Sequence, residues 1–180
     1  MGNIKGIALI NLVKSLRRDR DEILPTLPEH LATYFDTRVL VSRWYPEDDF
    51  LALATALAQR LPDTEGDPFE WIGRQGARND FGDTYSMMIR PGDPLETLQR
   101  YPRVWRLYHD AGRLDIAITG NTSARVEVFG TQLVTRPEFC RIQGGHLAGM
   151  LEMVGAEDIA IENLRIAEGH DPAAWAVRWG

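Results

Sequence analysis

The sequence predicts an α+β domain: a helical N-terminal two-thirds packed on an antiparallel sheet built from two hairpins, 114–129 and 158–179, with a helix over 136–154 between them. Three observations carry this prediction. Apolar residues recur at helical spacing up to about residue 112 and at strand spacing beyond it. Helix starts share one spelling, a short polar residue followed by proline and glutamate. Gly- and Asn-rich turns divide the strand-like segments into pairs.

Ile7, Leu9, Ile10, Leu12, Val13 and Leu16 form a broad apolar stripe on a helix expected over residues 4–19. Lys14, Arg17, Arg18 and Arg20 close that helix, where cations complement its dipole; an acidic partner is the other reading of the cluster. Capping-box spelling occurs at Thr26/Glu29, Asp67/Glu70, Asp93/Glu96 and Thr135/Glu138. Pro28, Pro68, Pro94 and Pro137 occupy the first turns, where the missing N–H does no harm. Pro46 opens a further helix with Glu47, Asp48 and Asp49 in its first turn, expected to serve the positive helix end. The body of that helix, Phe50, Leu51, Leu53, Ala54, Leu57 and Leu61, reads as core, and Pro62–Asp67 as a polar loop.

After Gly112 the period changes. Leu114, Ile116 and Ile118 alternate with Asp115, Ala117 and Thr119; Gly120–Ser123 is turn chemistry; Ala124, Val126 and Val128 run back. The second pair, Asp158–Ala167 and Ala173–Trp179, flanks the turn Glu168–Pro172, with Trp175, Val177 and Trp179 on one face of the last strand.

A chain of 180 residues that is 44% hydrophobic and 26% charged fits one domain spanning 1–180, long enough to bury roughly two-thirds of its unfolded surface. A net charge of −6 argues against broad binding to nucleic acid or anionic membrane. The single cysteine, Cys140, has no partner for an intramolecular disulfide. No apolar run reaches the length of about 18 residues that a membrane span needs. The N-terminus lacks signal-peptide spelling, and Gly6 stands where a myristoylation signal wants Ser or Thr. A cytoplasmic location is expected by elimination.

Motifs for chemistry are sparse. His30, His109, His146 and His170 show no metal-site spacing with each other or with Cys140, so no metal or cofactor is expected from local pattern. His146, on the 136–154 helix, reads as a satisfied core or boundary residue. Cys140, six residues earlier on a different face, reads as a small buried hydrophobe. Gly144, Gly145 and Gly149 lie inside that helix at a cost of about 1 kcal/mol each relative to alanine. Close backbone approach must offset the loss, with Gly145 and Gly149 offering a flat strip to another helix, the sheet or a second subunit. Pocket candidates are Trp44, Tyr45, Trp105, Tyr108, His109 and Cys140. Among them Tyr108-His109-Asp110, beside Gly112-Arg113, is the place to seek an apolar pocket with a polar mouth.

The segment from Phe139-Cys140-Arg141-Ile142-Gln143-Gly144-Gly145-His146 through Gly155, Ile159–Glu162, Gly169-His170-Asp171-Pro172 and Trp175–Trp179 resembles the 4-vinyl reductase domain. That family belongs with the haem–nitric-oxide-binding (H-NOX) domains and the TRAPP transport-particle subunits in one ligand-binding superfamily. Upstream, Lys5-Gly6, Trp44-Tyr45-Pro46, Ile72-Gly73-Arg74 and Tyr108–Arg113 look like a bacterial paralogous group of unknown function with the same fold. Ile166 and Ala174 stand where the reductase pattern places cysteines, so no thiol or metal role at that turn follows. Tyr85–Arg90 carries the letters of the H-NOX Tyr-x-Ser-x-Arg signature in another register and no histidine reads as the proximal iron ligand, so no haem site follows. The resemblance implies a non-catalytic ligand-binding or protein-interaction module in bacterial signalling or assembly, taking a small apolar ligand, a homodimer mate or another protein partner. The alternatives are an H-NOX-type haem gas sensor, a scaffold subunit without ligand, and an enzyme using Tyr108, His109 and Asp110 as acid–base groups.

Overall fold

Residues 3–5 are extended, not helical. In the computed structural model, which describes residues 2–62, 66–82, 84–168 and 172–180, β1 (Asn3–Lys5) pairs antiparallel with β2 (Trp44–Pro46). Helix α1 (Gly6–Leu16) therefore starts two residues later than the stripe predicts and ends three earlier, passing into a 3-10 turn at Arg17–Asp19. Glycine is required at its first position: a Cβ on Gly6 would overlap the Leu40 carbonyl, whose loop also takes the Gly6 N–H through Arg43 O at 2.9 Å.

The helix expected from Thr26 does not form. The segment breaks into short turns: α2 (Arg20–Ile23), 3-10 turns at Leu24–Thr26 and Glu29–Ala32, and α3 (Thr33–Asp36). Pro25 and Pro28 remove two donors and restrict the residues before them. The Thr26 hydroxyl donates back to Ile23 O instead of capping forward. Two of the four cations of the basic cluster are used locally, Arg17 donating to Tyr34 O and Thr37 O and Arg20 pairing with Asp36.

α4 (Glu47–Ala58) starts after Pro46 as predicted but ends before Leu61, and α5 (Pro68–Gly82) and α6 (Pro94–Tyr108) follow the capping grammar. Asp67 Oδ1 accepts from the N–H groups of Phe69 and Glu70, and Asp93 Oδ1 accepts from Glu96 N. β3 (Arg113–Gly120) and β4 (Ser123–Phe129) form the first hairpin. α7 (Pro137–Met153) follows, with Thr135 donating to Gln132 O rather than capping it. β5 (Ala160–Arg165) and β6 (Ala173–Arg178) complete the sheet in the order β3-β4-β6-β5, every neighbour antiparallel. Residues 169–171, with His170, lie outside the described residues, as do 63–65 of the predicted 62–67 loop.

The sheet buries Val126, Val128, Trp175 and Val177 beneath α7, and the Trp175 indole donates to Cys140 O at 3.2 Å. α5 and α7 meet at backbone distance. Cβ atoms on Gly73 and Gly145 would overlap the carbonyls of Ile142 and Glu70, and one on Gly149 would lie 2.9 Å from Arg74 O. Gly145 and Gly149 thus give their flat strip to α5 within the chain, which leaves them no face for a second subunit. No described helix is long and apolar enough to cross a membrane.

Candidate functional site

Helices α1, α5, α6 and α7 do not close completely on one another. Between them lies a cavity of about 270 Å³, walled by Ile7, Leu12, Phe50, Ile72, Val104, Phe139 and Ile142 and by the rings of Trp71, Tyr101, Trp105, Tyr108, His109 and His146. Asn11, Lys14, Ser15, Gln75 and Asn79 give it a polar rim.

At one end stands His109, brought there by the end of α6 and pinned by a bridge between its backbone and Ile4. Its ring stacks on Trp105, centroids 3.9 Å apart, and its Nδ1 lies 3.0 Å from Glu47 Oε1. Burial holds the imidazole below its ordinary pKa against the opposing pull of Glu47, so the ring is neutral near pH 7. A carboxylate accepts only, which places the proton on Nδ1 and a lone pair on Nε2. Glu47 Oε2 accepts in turn from the Thr131 hydroxyl at 3.0 Å.

The other end is built on His146. The Gln143 amide donates to the Tyr101 hydroxyl at 2.9 Å, and that hydroxyl lies 2.7 Å from His146 Nδ1. The arrangement that satisfies each atom runs Gln143 to Tyr101 to His146, leaving the His146 proton on Nε2. That nitrogen faces Asp80 Oδ2 at 3.7 Å, too long for a hydrogen bond. Asp80 is only 4% exposed. The Tyr108 hydroxyl is buried without a hydrogen-bond partner. Burial first, and the nearby Asp80 charge second, push this phenol well above its usual pKa, although the two groups fall short of bonding geometry.

Of the residues that sequence reasoning selected, Trp105, Tyr108 and His109 line the cavity. Trp44, Tyr45 and Cys140 are not part of its wall. Trp44 sits under Lys5 on the small sheet, and Tyr45 packs edge-on against Tyr34 with its hydroxyl accepting from Leu40 N. Cys140 is buried, donates to Val134 O, and has its thiol pushed up to about 11 by burial. Asp110 is a surface group tied to Asn3 through Asn3 N at 2.6 Å and Nδ2 at 2.7 Å. These bonds hold its carboxyl below the usual range. It joins no acid–base set with His109.

Glu47, Asp48 and Asp49 do stand in the first turn of α4, but two of them do more than serve the helix end. Only Asp48 stays at the surface. Glu47 holds His109, and Asp49 accepts from the Tyr34 hydroxyl at 2.5 Å and faces His30 Nε2 at 3.0 Å. Sequence reasoning missed Asp80, Tyr101 and Gln143, whose helical spacing makes them ordinary face residues. It also took His146 for a bland one. Among the described residues no three His, Cys, Asp or Glu side chains converge to hold a metal.

No family model matches the chain, and no curated protein does. Solved structures do. An H-NOX domain studied for haem distortion superposes with a TM-score of 0.70 at 13% identity, covering 97% of this chain and 94% of that one. An oxygen-binding H-NOX domain related to soluble guanylate cyclases gives 0.66 at 13% identity, with coverage of 97% and 94%. An H-NOX protein from S. oneidensis in its Fe(II)NO state gives 0.64 at 16% identity, with coverage of 98% and 99%. At these identities the likeness establishes an H-NOX-like fold.

Proposed function

We propose that this protein is a non-catalytic sensor module that holds one small, mostly apolar molecule in the cavity between α1, α5, α6 and α7. The observation that carries this reading is a mainly apolar, partly enclosed space of about 270 Å³ whose wall contains a buried hydroxyl, Tyr108, without a hydrogen-bond partner. A buried polar group left unmatched costs roughly 1–3 kcal/mol, which a ligand's matching group recovers. A scaffold with no ligand would have filled the space with side chains. An acid–base role is disfavoured because Asp110 is turned to Asn3 and the Tyr108 phenol is pushed away from neutrality.

Haem, named for a structural neighbour, does not fit these residues. His109 is the residue from which iron would be held, because Glu47 orients its Nδ1–H as a carboxylate orients a metal-bound imidazole. A space of about 270 Å³ stands at the small end of the roughly 300–1,000 Å³ range of ligand sites, which suits a small molecule better than a porphyrin. Among the lining residues only Lys14 is a cation to meet propionates, whereas Asp80 opposes them.

The test is native mass spectrometry of the purified protein together with its absorption spectrum after expression with haem supply. A bound species of a few hundred daltons or less and no Soret band are expected; a Soret band with stoichiometric haem overturns the reading.

A further inference from the structure

Resting on that reading, the geometry points to a ligand with a cationic amine end, which Asp80 receives while the apolar body lies against the aromatic wall. Asp80 is a nearly fully buried carboxylate, yet no hydrogen bond from a described residue reaches it. A charge held in that state is costly unless something pairs with it. The two donors nearest to it fall short, the His146 Nε2 proton facing it across 3.7 Å and the Tyr108 hydroxyl making no hydrogen bond, and others of the wall are engaged elsewhere. Gln143 donates to Tyr101, Tyr101 faces His146, and the His109 proton faces Glu47. Lys14, exposed on the rim, makes no ion pair with Asp80.

The wall therefore presents an unbonded carboxylate, Asp80, at one end and the lone pair of His109 Nε2 at the other. A ligand that brings N–H donors and positive charge complements it. The rings of Tyr101 and Tyr108, whose centroids lie 5.8 and 6.0 Å from that of His146, line the same end, and aromatic rings there suit an organic cation. A metal ion is a poorer match, because no cluster of three metal-ligating side chains among the described residues would complete its shell. A space of about 270 Å³ has room for a single-ring amine.

Isothermal titration of the full chain at neutral pH with 2-phenylethylamine, 2-phenylethanol and phenylacetate tests this. The amine should bind at least about tenfold tighter than the alcohol, as expected for a charge-assisted bond, and phenylacetate should not bind. Asp80→Asn should bring the amine down to the alcohol's affinity, whereas Tyr108→Phe should keep the amine preference. Alcohol or phenylacetate binding as tightly as the amine, or an unchanged preference in folded Asp80→Asn, overturns the amine assignment and leaves the cavity reading standing. Binding of none of the three overturns both. The three-probe comparison on the unaltered chain decides even where Asp80→Asn does not fold.

Discussion

The helical layer is shut at one contact of α7 and open at the next. At the α5–α7 seam Gly73, Gly145 and Gly149 let backbone meet backbone, and nothing larger than hydrogen fits. Beside it, where α7 carries Phe139, Ile142, Gln143 and His146, the same helices leave about 270 Å³ unfilled. The two features belong together. Backbone contact is stiff, so the seam fixes the α5–α7 spacing and stops the helices from sliding in to close the space. Helical glycines that cost about 1 kcal/mol each are kept because the seam needs them.

Gly145→Ala should therefore give the largest effect. Propensity alone predicts a gain of about 1 kcal/mol. Against it stands an overlap with the Glu70 carbonyl, a backbone atom that cannot swing aside. Overpacking of this kind costs about 1–3 kcal/mol and more where backbone is involved. A net loss of about 3 kcal/mol, or a fall in Tm of about 6–12 °C, is expected by thermal denaturation. An unchanged or raised Tm would separate seam from cavity and break the comparison.

The two histidines sharpen it next. His109 is tied into Glu47 and Thr131, whereas His146 keeps one nitrogen facing Asp80 across 3.7 Å. Glu47→Leu should leave an imidazole N–H and a hydroxyl without their acceptor and cost about 2 kcal/mol in urea titrations at pH 7.5. The pH dependence has a definite sign. Burial lowers the folded pKa of His109 below 6.5, so the unfolded chain binds more protons. The stability is present in full above that value and is lost as pH falls through it toward the folded pKa. Glu47 opposes the shift, so Glu47→Leu should lose stability more steeply between about pH 7 and pH 5 than the unaltered protein. A shallower loss would mean that the pair does not set the charge of His109.

How much of this was legible in the sequence depended on whether a signal was local. The caps at Asp67 and Asp93, the two hairpins and the α7 span are written in residues a few positions apart, and the structure reproduces them. Thr26 carried the same spelling and failed, because Pro25 and Pro28 together permit only short turns. β1 was hidden because its partner, Trp44–Pro46, lies about forty residues away. The cavity was half legible. The Tyr108-His109 end follows from a polar cluster at a helix end, but Asp80, Tyr101 and Gln143 look like any helix-face residues until α5, α6 and α7 bring them together. Glu47 likewise looked like a helix-end acid, since nothing near it in sequence names His109.

The smallest effect is the most discriminating. Gly76 also lies on α5, one turn from both Gly73 and Asp80, but a Cβ there would stand 3.6 Å from His146 Cδ2, an ordinary contact at the cavity wall. Gly76→Ala should therefore follow helix propensity, gaining up to about 1 kcal/mol, or about 2–4 °C in Tm. It should also narrow the cavity beside Asp80 and weaken 2-phenylethylamine binding in the same titration that reads the unaltered chain. Stability and affinity then move in opposite directions, as they do when a site is kept open at a cost to the fold. Two Gly→Ala changes one helix apart, one destabilising and one stabilising, would locate where the seam ends and the cavity begins. A destabilised Gly76→Ala would extend the seam across this wall and leave the space at His146 as imperfect packing.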